Sequence, residues 1–212
     1  NAAESMLYDV STRRWSDELS AAVELPASVL PPLCWAGTAV GTVTPTAAAA
    51  TGLPAGLPVF AGGADTESAL LGAGCHRPGM LGLVLGTTAP VQLVIDRPVL
   101  DPGGTLWTSS HVVPGQWVLE SNGGDTGGTH RWLMDLFYGG GSAAAFAAAD
   151  ADVASTGDDA RTVLAFLGPQ VFSLENMSPF RPAGLLFRFP ILHIDRPSRG
   201  EIMRGFFENV AF

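Results

Sequence analysis

A short apolar strand that runs straight into two glycines, an aspartate and a helix constrains this chain more than any other feature. Pro58-Val59-Phe60-Ala61 leads into Gly62-Gly63-Ala64-Asp65, and an Ala/Leu-rich helix over 66–73 follows at once. A strand released by glycines at a helix start belongs to α/β architecture, where ligands gather outside the carboxyl ends of strands. The glycines let a ligand approach the backbone. Asp65 is then placed to take a proton from an attacking hydroxyl, as a general base. The same spacing fits a plain N-cap, with the carboxylate holding helix N–H groups. Spacing alone leaves both readings open.

The other segments read as short helices and strands joined by many turns. Ser16 caps a helix over 16–25 that stops before Pro26, and residues 26–45 read as loop. Thr44 caps the next helix, with Pro45 at its first position and Gly52 at its end. After Gly74, Pro78 and Gly79 the texture changes, which makes 74–79 the candidate domain boundary. Two strands then meet at Gly86-Thr87-Thr88, and residues 105–121 form a hairpin turning at Pro114-Gly115. Helical spacing follows over 126–138 and an Ala-rich helix over 143–155. Residues 185–194 read as a strand with Pro190 at an edge or bulge, and Ser198 caps a final helix.

Charge and motif content remove several function classes. The 212 residues carry a net charge of −9 with only 11 basic side chains, and no Lys/Arg cluster interleaves with aromatics. Nucleic acid and anionic membrane surfaces are therefore poor partners. No run of ~18 apolar residues spans a bilayer. Cys34 and Cys75 cannot staple a chain of this size, so a reducing cytoplasm is the expected compartment. His76, His111, His130 and His193 are scattered without metal-ligand spacing, so no protein metal site is expected. Trp15, Trp35, Trp107, Trp117 and Trp132 fall in separate elements and read as core or pocket packing. The start lacks an initiator Met and a secretory pattern, and the end stops inside a helical pattern. The chain thus reads as an internal fragment of something longer.

Two further segments suit anions. In Leu85-Gly86-Thr87-Thr88 a tight turn offers two hydroxyls and N–H groups that can cradle a phosphate. Asp125-Thr126-Gly127-Gly128-Thr129 imitates the first phosphate loop of hexokinase-like and actin-like ATPases. Helical spacing begins at once in Arg131, Trp132 and Leu133, so it reads instead as a Gly-rich helix start, itself an anion site.

Taken in order, these segments resemble an FGGY-type carbohydrate kinase over nearly the whole chain. Residues 30–74, LPPLCWAGTAVGTVTPTAAAATGLPAGLPVFAGGADTESALLGAG, are the most specific part. NAAESMLYDVSTRRWSDEL at 1–19, LGTTAP at 85–90 and GGTHRWL at 127–133 are similar to the family's patterns in the same order. The hairpin from His111 to Ser121 and FLGP at 166–169 are more similar to the xylulokinase-like and autoinducer-2-kinase-like branches than to glycerol kinases.

The resemblance implies an α/β, actin-like ATPase (ribonuclease-H-like) fold, present in part, with the active site in a cleft between two domains. Residues 1–74 would be the end of the first, sugar-binding domain, and 79–212 the start of the second, nucleotide-binding domain. It implies Asp65 as catalytic base and Thr66 as a sugar contact. Gly86, Thr87 and Thr88 would contact ATP phosphates, and Gly127 and Arg131 would lie on the nucleotide side. The implied reaction is ATP-dependent phosphorylation of a small sugar or polyol, a ketopentose such as xylulose. Magnesium would be held mainly through ATP and residues outside this chain, and a homodimer is compatible with the resemblance. The family's D-x-G-T-(S/T) loop and its later G-G-G-(A/G)-x-S adenosine motif are not in these 212 residues, so the chain alone is expected to be inactive. Alternatives are a non-catalytic sugar- or nucleotide-binding remnant, a kinase for glycerol or autoinducer-2, and a hydrolase in which Asp65 activates water.

Overall fold

The computed structural model describes residues 2–157, 163–168, 183–187 and 196–212. Its internal contacts divide the chain into two compact units. The first is Asn1–Gly82 with Gln92–Pro102 and Leu106–Glu120; the second is Leu83–Val91 with Gly103–Thr105 and Ser121–Phe212.

The first unit opens with a small antiparallel pair, β1 (Tyr8–Asp9) and β2 (Arg14–Trp15). Helix α1 (Asp17–Ala22) starts where the Ser16 side chain accepts from the Leu19 N–H, with Asp17 and Glu18 in the first turn. Acids there complement the helix dipole. The helix is shorter than its apolar spacing suggests and gives way at Val23, before Pro26. Strand β3 (Ala39–Thr42) pairs antiparallel with β4 (Pro58–Phe60), and helix α2 (Pro45–Thr51) joins them. All three expected devices set α2: Thr44 accepts from the Ala47 N–H, Pro45 sits in the first turn, and Gly52 closes the helix at φ 77°. Helix α3 (Asp65–Gly72) follows β4.

Strands β5 (Leu81–Leu83), β6 (Thr88–Ile95), β7 (Trp107–Ser110) and β8 (Trp117–Asp125) form a four-stranded sheet in the order β5-β6-β8-β7. The β7–β8 hairpin pairs Trp107 with Glu120 and Ser110 with Trp117, and Gly115 takes the left-handed turn position at φ 82°. Leu70, Cys75, Val94 and Val118 form the buried core of this unit.

In the second unit, helix α4 (Gly127–Tyr138) follows β8 after a single residue, and helix α5 (Ala143–Ser155) spans the expected Ala-rich stretch. Strand β9 (Val163–Phe166) pairs antiparallel with β10 (Gly184–Phe187). The expected strand over 185–194 is thus seen through Phe187, and Pro190 and His193 lie outside the described residues. Helix α6 (Arg199–Ala211) begins with a full capping box between Ser198 and Glu201. Leu133, Met134, Ala145, Ala149, Met203 and Phe206 join α4, α5 and α6 in one buried cluster. A side chain at Gly200 would meet the Asp152 carbonyl oxygen at 2.6 Å, so α6 approaches α5 as closely as a glycine allows. No helix among the described residues is long and apolar enough to cross a membrane.

Candidate functional site

Backbone pairing fixes the point where β4 releases its chain. Ala61 donates its N–H to the Thr38 carbonyl, and its own carbonyl accepts from Gly37. The two glycines that follow have different jobs. A Cβ on Gly63 would lie 2.2 Å from Val112 Cγ1, so this position is closed by the hairpin, whereas Gly62 faces open space. Ala64 is the N-cap of α3, and Asp65 is its first helical residue. The plain N-cap expectation therefore shifts by one residue. Asp65 Oδ1 accepts from the Thr66 N–H at 2.8 Å and from the Thr66 hydroxyl at 3.2 Å. Its Oδ2 has no donor among the described residues, and the side chain is exposed. The carboxylate thus holds one helix-start N–H and keeps one oxygen free. Half-buried Thr66 turns its hydroxyl to Asp65.

Beside this strand end, wholly within the first unit, lies a cavity of about 290 Å³ whose wall includes Gly62, Gly63 and Ala64. Several of its other wall residues carry polar chemistry. Glu67, only 6% exposed, accepts from the Ser109 hydroxyl at 2.5 Å through Oε1. Tyr8 and Ser110 share a hydrogen bond between hydroxyls. His111 is buried with both ring nitrogens engaged: Nδ1 accepts from the Val113 N–H at 2.9 Å, and Nε2 stands 3.1 Å from the Cys75 carbonyl. Nδ1 as acceptor puts the proton on Nε2, and burial pushes the ring's pKa below the usual histidine range. Arg13 stacks its guanidinium 4.7 Å from the Trp35 ring centroid and 3.8 Å from that of Trp117. Its Nη2 donates to the Gln116 carbonyl at 2.8 Å, while Nε is buried without a partner among the described residues. Partial burial lowers the guanidinium's pKa.

Sequence reasoning missed Arg13, Glu67 and Ser109. Glu67 reads as one more acid in a helix's first turn. Its partner lies 42 positions away and the Gln116 carbonyl lies 103 from Arg13, so no local pattern signals either contact.

In the second unit the Gly86–Thr88 turn and the start of α4 form one structure. The Thr87 carbonyl accepts from the N–H groups of both Thr126 and Gly127 at 2.9 Å. A Cβ on Gly127 would lie 2.1 Å from the Gly86 carbonyl oxygen, so the turn seats on the helix only through glycine. These contacts occupy amides that looked available for an anion, and Gly86 gives its own N–H to the Thr88 carbonyl. The exposed hydroxyls of Thr87 and Thr88 make no hydrogen bond among the described residues and are the groups left to meet a phosphate. Gly127 and Arg131 also line a cavity of about 530 Å³ with His130, Met134, Asp135, Gly141 and Phe146. Arg131 is exposed and makes no ion pair among the described residues. His130 stacks on Phe206 at 5.9 Å with an 11° interplanar angle, and burial lowers its pKa against an opposing pull from Asp150.

Among the described residues no three His, Cys, Asp or Glu side chains come together to hold a metal. The Thr87 and Thr88 hydroxyls and the Arg131 cation are exposed and suit phosphate oxygens.

Comparison with solved structures defines the class. Xylulose kinase from Rhodospirillum rubrum superposes with a TM-score of 0.79 at 30% identity, over 99% of this chain and 41% of that one. Glycerol kinase from Plasmodium falciparum with ADP gives a TM-score of 0.75 at 18% identity, a likeness of fold alone. This is an α/β actin-like ATPase fold, present in part. Residues 1–72 match the N-terminal domain of the FGGY family of carbohydrate kinases. YoaC of Bacillus subtilis (strain 168), a protein named for a proposed sugar-kinase role, is 30% identical over 215 residues, across 100% of this chain and 42% of its own length. Autoinducer-2 kinase of Yersinia enterocolitica is 36% identical over 137 residues, across 65% of this chain and 26% of its own. The chain belongs to the FGGY family of carbohydrate kinases and spans about two fifths of the longest-matched relatives.

Proposed function

We propose that the protein transfers the terminal phosphoryl group of ATP to a hydroxyl of a small sugar or polyol, a ketopentose such as xylulose, with Asp65 as general base. The observation that carries the reading is the Asp65 carboxylate, exposed just after a strand end, with one oxygen tied to Thr66 and the other free. A base needs such an open oxygen within reach of the proton it takes. In the reaction the acceptor hydroxyl gives its proton to Asp65 as its oxygen bonds to the γ-phosphorus. The bond to the bridging oxygen breaks, and ADP leaves. Phosphoryl transfer asks for positioning and charge stabilisation rather than covalent chemistry from the protein. Thr66 contacts the sugar. Gly86, Thr87 and Thr88 meet the phosphates, and Gly127 and Arg131 stand on the nucleotide side, with magnesium carried mainly by ATP. Residues 1–74 act as part of the sugar-binding domain and 79–212 as part of the nucleotide-binding domain, in a cytoplasmic enzyme.

The likeness to the Rhodospirillum rubrum xylulose kinase supports the ketopentose, and the Yersinia relative makes the autoinducer-2 precursor the natural competitor. The test is ADP release by the full-length protein with xylulose, ribulose, glycerol and that precursor as acceptors. Xylulose is expected to give the highest kcat/KM. A lead for glycerol overturns the substrate assignment, and release without any acceptor points to a hydrolase.

A further inference from the structure

The first turn of α3, Asp65 to Ser68, has no apolar side chain to bury. Asp65 and Ser68 are exposed and Thr66 is half-buried, whereas Glu67 is only 6% exposed. Farther along, Leu70 enters the core with Val118, and the Cys75 carbonyl just beyond the helix meets His111 Nε2. The helix start is held differently. Its anchor is the hydrogen bond that Glu67 Oε1 accepts from the Ser109 hydroxyl at 2.5 Å. Ser109 is itself fixed in register, paired with fully buried Val118 across the β7–β8 hairpin. For stability alone a buried carboxylate is a poor anchor, since an apolar side chain of similar volume is often neutral or better at such a site. What the bond adds is direction: O–H···O bonds keep their length within about 0.5 Å and prefer nearly straight angles. Apolar contacts let a helix slide or roll.

We propose that Glu67 and Ser109 are positioning residues: their hydrogen bond ties the start of α3 to the β7–β8 hairpin and so fixes where the open oxygen of Asp65 stands. Among the described residues the Asp65 carboxylate bonds only to Thr66, its chain neighbour, so it goes where the helix start goes. Val112 of the same hairpin closes on Gly63 just ahead of the helix, which gives the strand end and the first turn one common support. The inference deepens the proposed phosphoryl transfer and rests on it for the importance of Asp65. Glu67 and Ser109 neither touch the substrate nor carry its proton. Their effect on rate is indirect, because a misplacement of about 1 Å near a reacting group can lower a rate about 10²-fold.

The variants are made in the full-length protein. Glu67→Met keeps the volume and removes the acceptor. Its melting temperature should hold or rise, while kcat falls about 10- to 100-fold and KM for the sugar stays within about twofold. Ser109→Ala breaks the bond from the donor side and should give the same loss of kcat. Glu67→Gln keeps an acceptor for Ser109 without the charge and should recover most of it. In an Asp65→Asn background Glu67→Met should lower kcat hardly further, because residues that act as a unit are not additive. Amide hydrogen exchange reads the same contact without turnover. The Ser68 N–H, which donates to the Ala64 carbonyl at 2.9 Å, should exchange roughly tenfold faster in Glu67→Met and near the wild-type rate in Glu67→Gln. A kcat that merely follows the melting temperature, a raised KM at unchanged kcat, or a full further loss in the Asp65→Asn background overturns the inference. The two readings fail separately. ADP release lost in Asp65→Asn but untouched by Glu67→Met removes the positioning role and leaves the kinase. Faster Ser68 exchange in Glu67→Met, with no ADP release from any acceptor, leaves the tie to the hairpin and removes the kinase.

Discussion

Asp65 uses one carboxylate oxygen to accept from Thr66 and leaves the other open. An asparagine can keep the first arrangement, because its carbonyl oxygen accepts from the same N–H and hydroxyl. It cannot take up the proton that the open oxygen would receive. In the full-length protein Asp65→Asn should therefore leave the melting temperature nearly unchanged and lower kcat by about 10²–10⁴-fold, the range for loss of a general base. Steady-state kinetics and a melting curve on the same variant check this, and a near-wild-type kcat removes Asp65 from the reaction. At this scale the sequence was informative where function follows a local pattern. Asp65 stands out because glycines, a strand and a helix bracket it within a few positions. Glu67 and Arg13 do not, because what distinguishes them is burial and partners brought from the distant β7–β8 hairpin. Even the glycine pair was only half legible, since the role of Gly63 depends on Val112.

Elements with chemical end-signals were read almost to the residue. α2 follows from Thr44, Pro45 and Gly52, and α5 from its run of alanines. The seating of the Gly86–Thr88 turn on α4 was not readable, since it depends on a carbonyl meeting a helix 40 positions later. Its consequence is an asymmetry between two glycines. Gly127→Ala drives a methyl into the Gly86 carbonyl and should cost about 1–3 kcal/mol, the usual range for overpacking. Gly86→Ala places its methyl no closer than 3.8 Å to the Thr88 carbonyl oxygen and should leave stability nearly unchanged. Denaturant unfolding of the two variants side by side checks the contrast. For α6, Ser198→Ala removes the side-chain half of the capping box and should cost about 0.5–2 kcal/mol by the same measurement.

Over the whole molecule, acid should loosen both units through a buried histidine in the first and a half-buried one in the second. His111 lies in the first unit and His130 in the second, and burial is the leading cause of a lowered pKa in each. Above the ordinary histidine value of 6.5 both rings are neutral in the folded and unfolded chain, and their stabilising effect is complete. As pH falls through that value the unfolded chain binds protons first, so stability declines until the folded rings' own lower pKa values are passed. Each tenfold drop in proton affinity on folding is worth about 1.4 kcal/mol at the acid end of that window. Protonating His111 at Nδ1 also removes the acceptor of the Val113 N–H, which the unfolded chain satisfies with water. Four of the five tryptophans, Trp15, Trp35, Trp107 and Trp117, belong to the first unit, so their fluorescence follows its unfolding. Thermal unfolding read by that signal should show a melting temperature that falls as pH is lowered from 8 to 5. His111→Gln can keep a hydrogen bond to either backbone partner but does not titrate. Its melting temperature should start lower at pH 8 and fall less toward pH 5. A slope as steep as that of the wild type would move the acid sensitivity of the first unit to other groups.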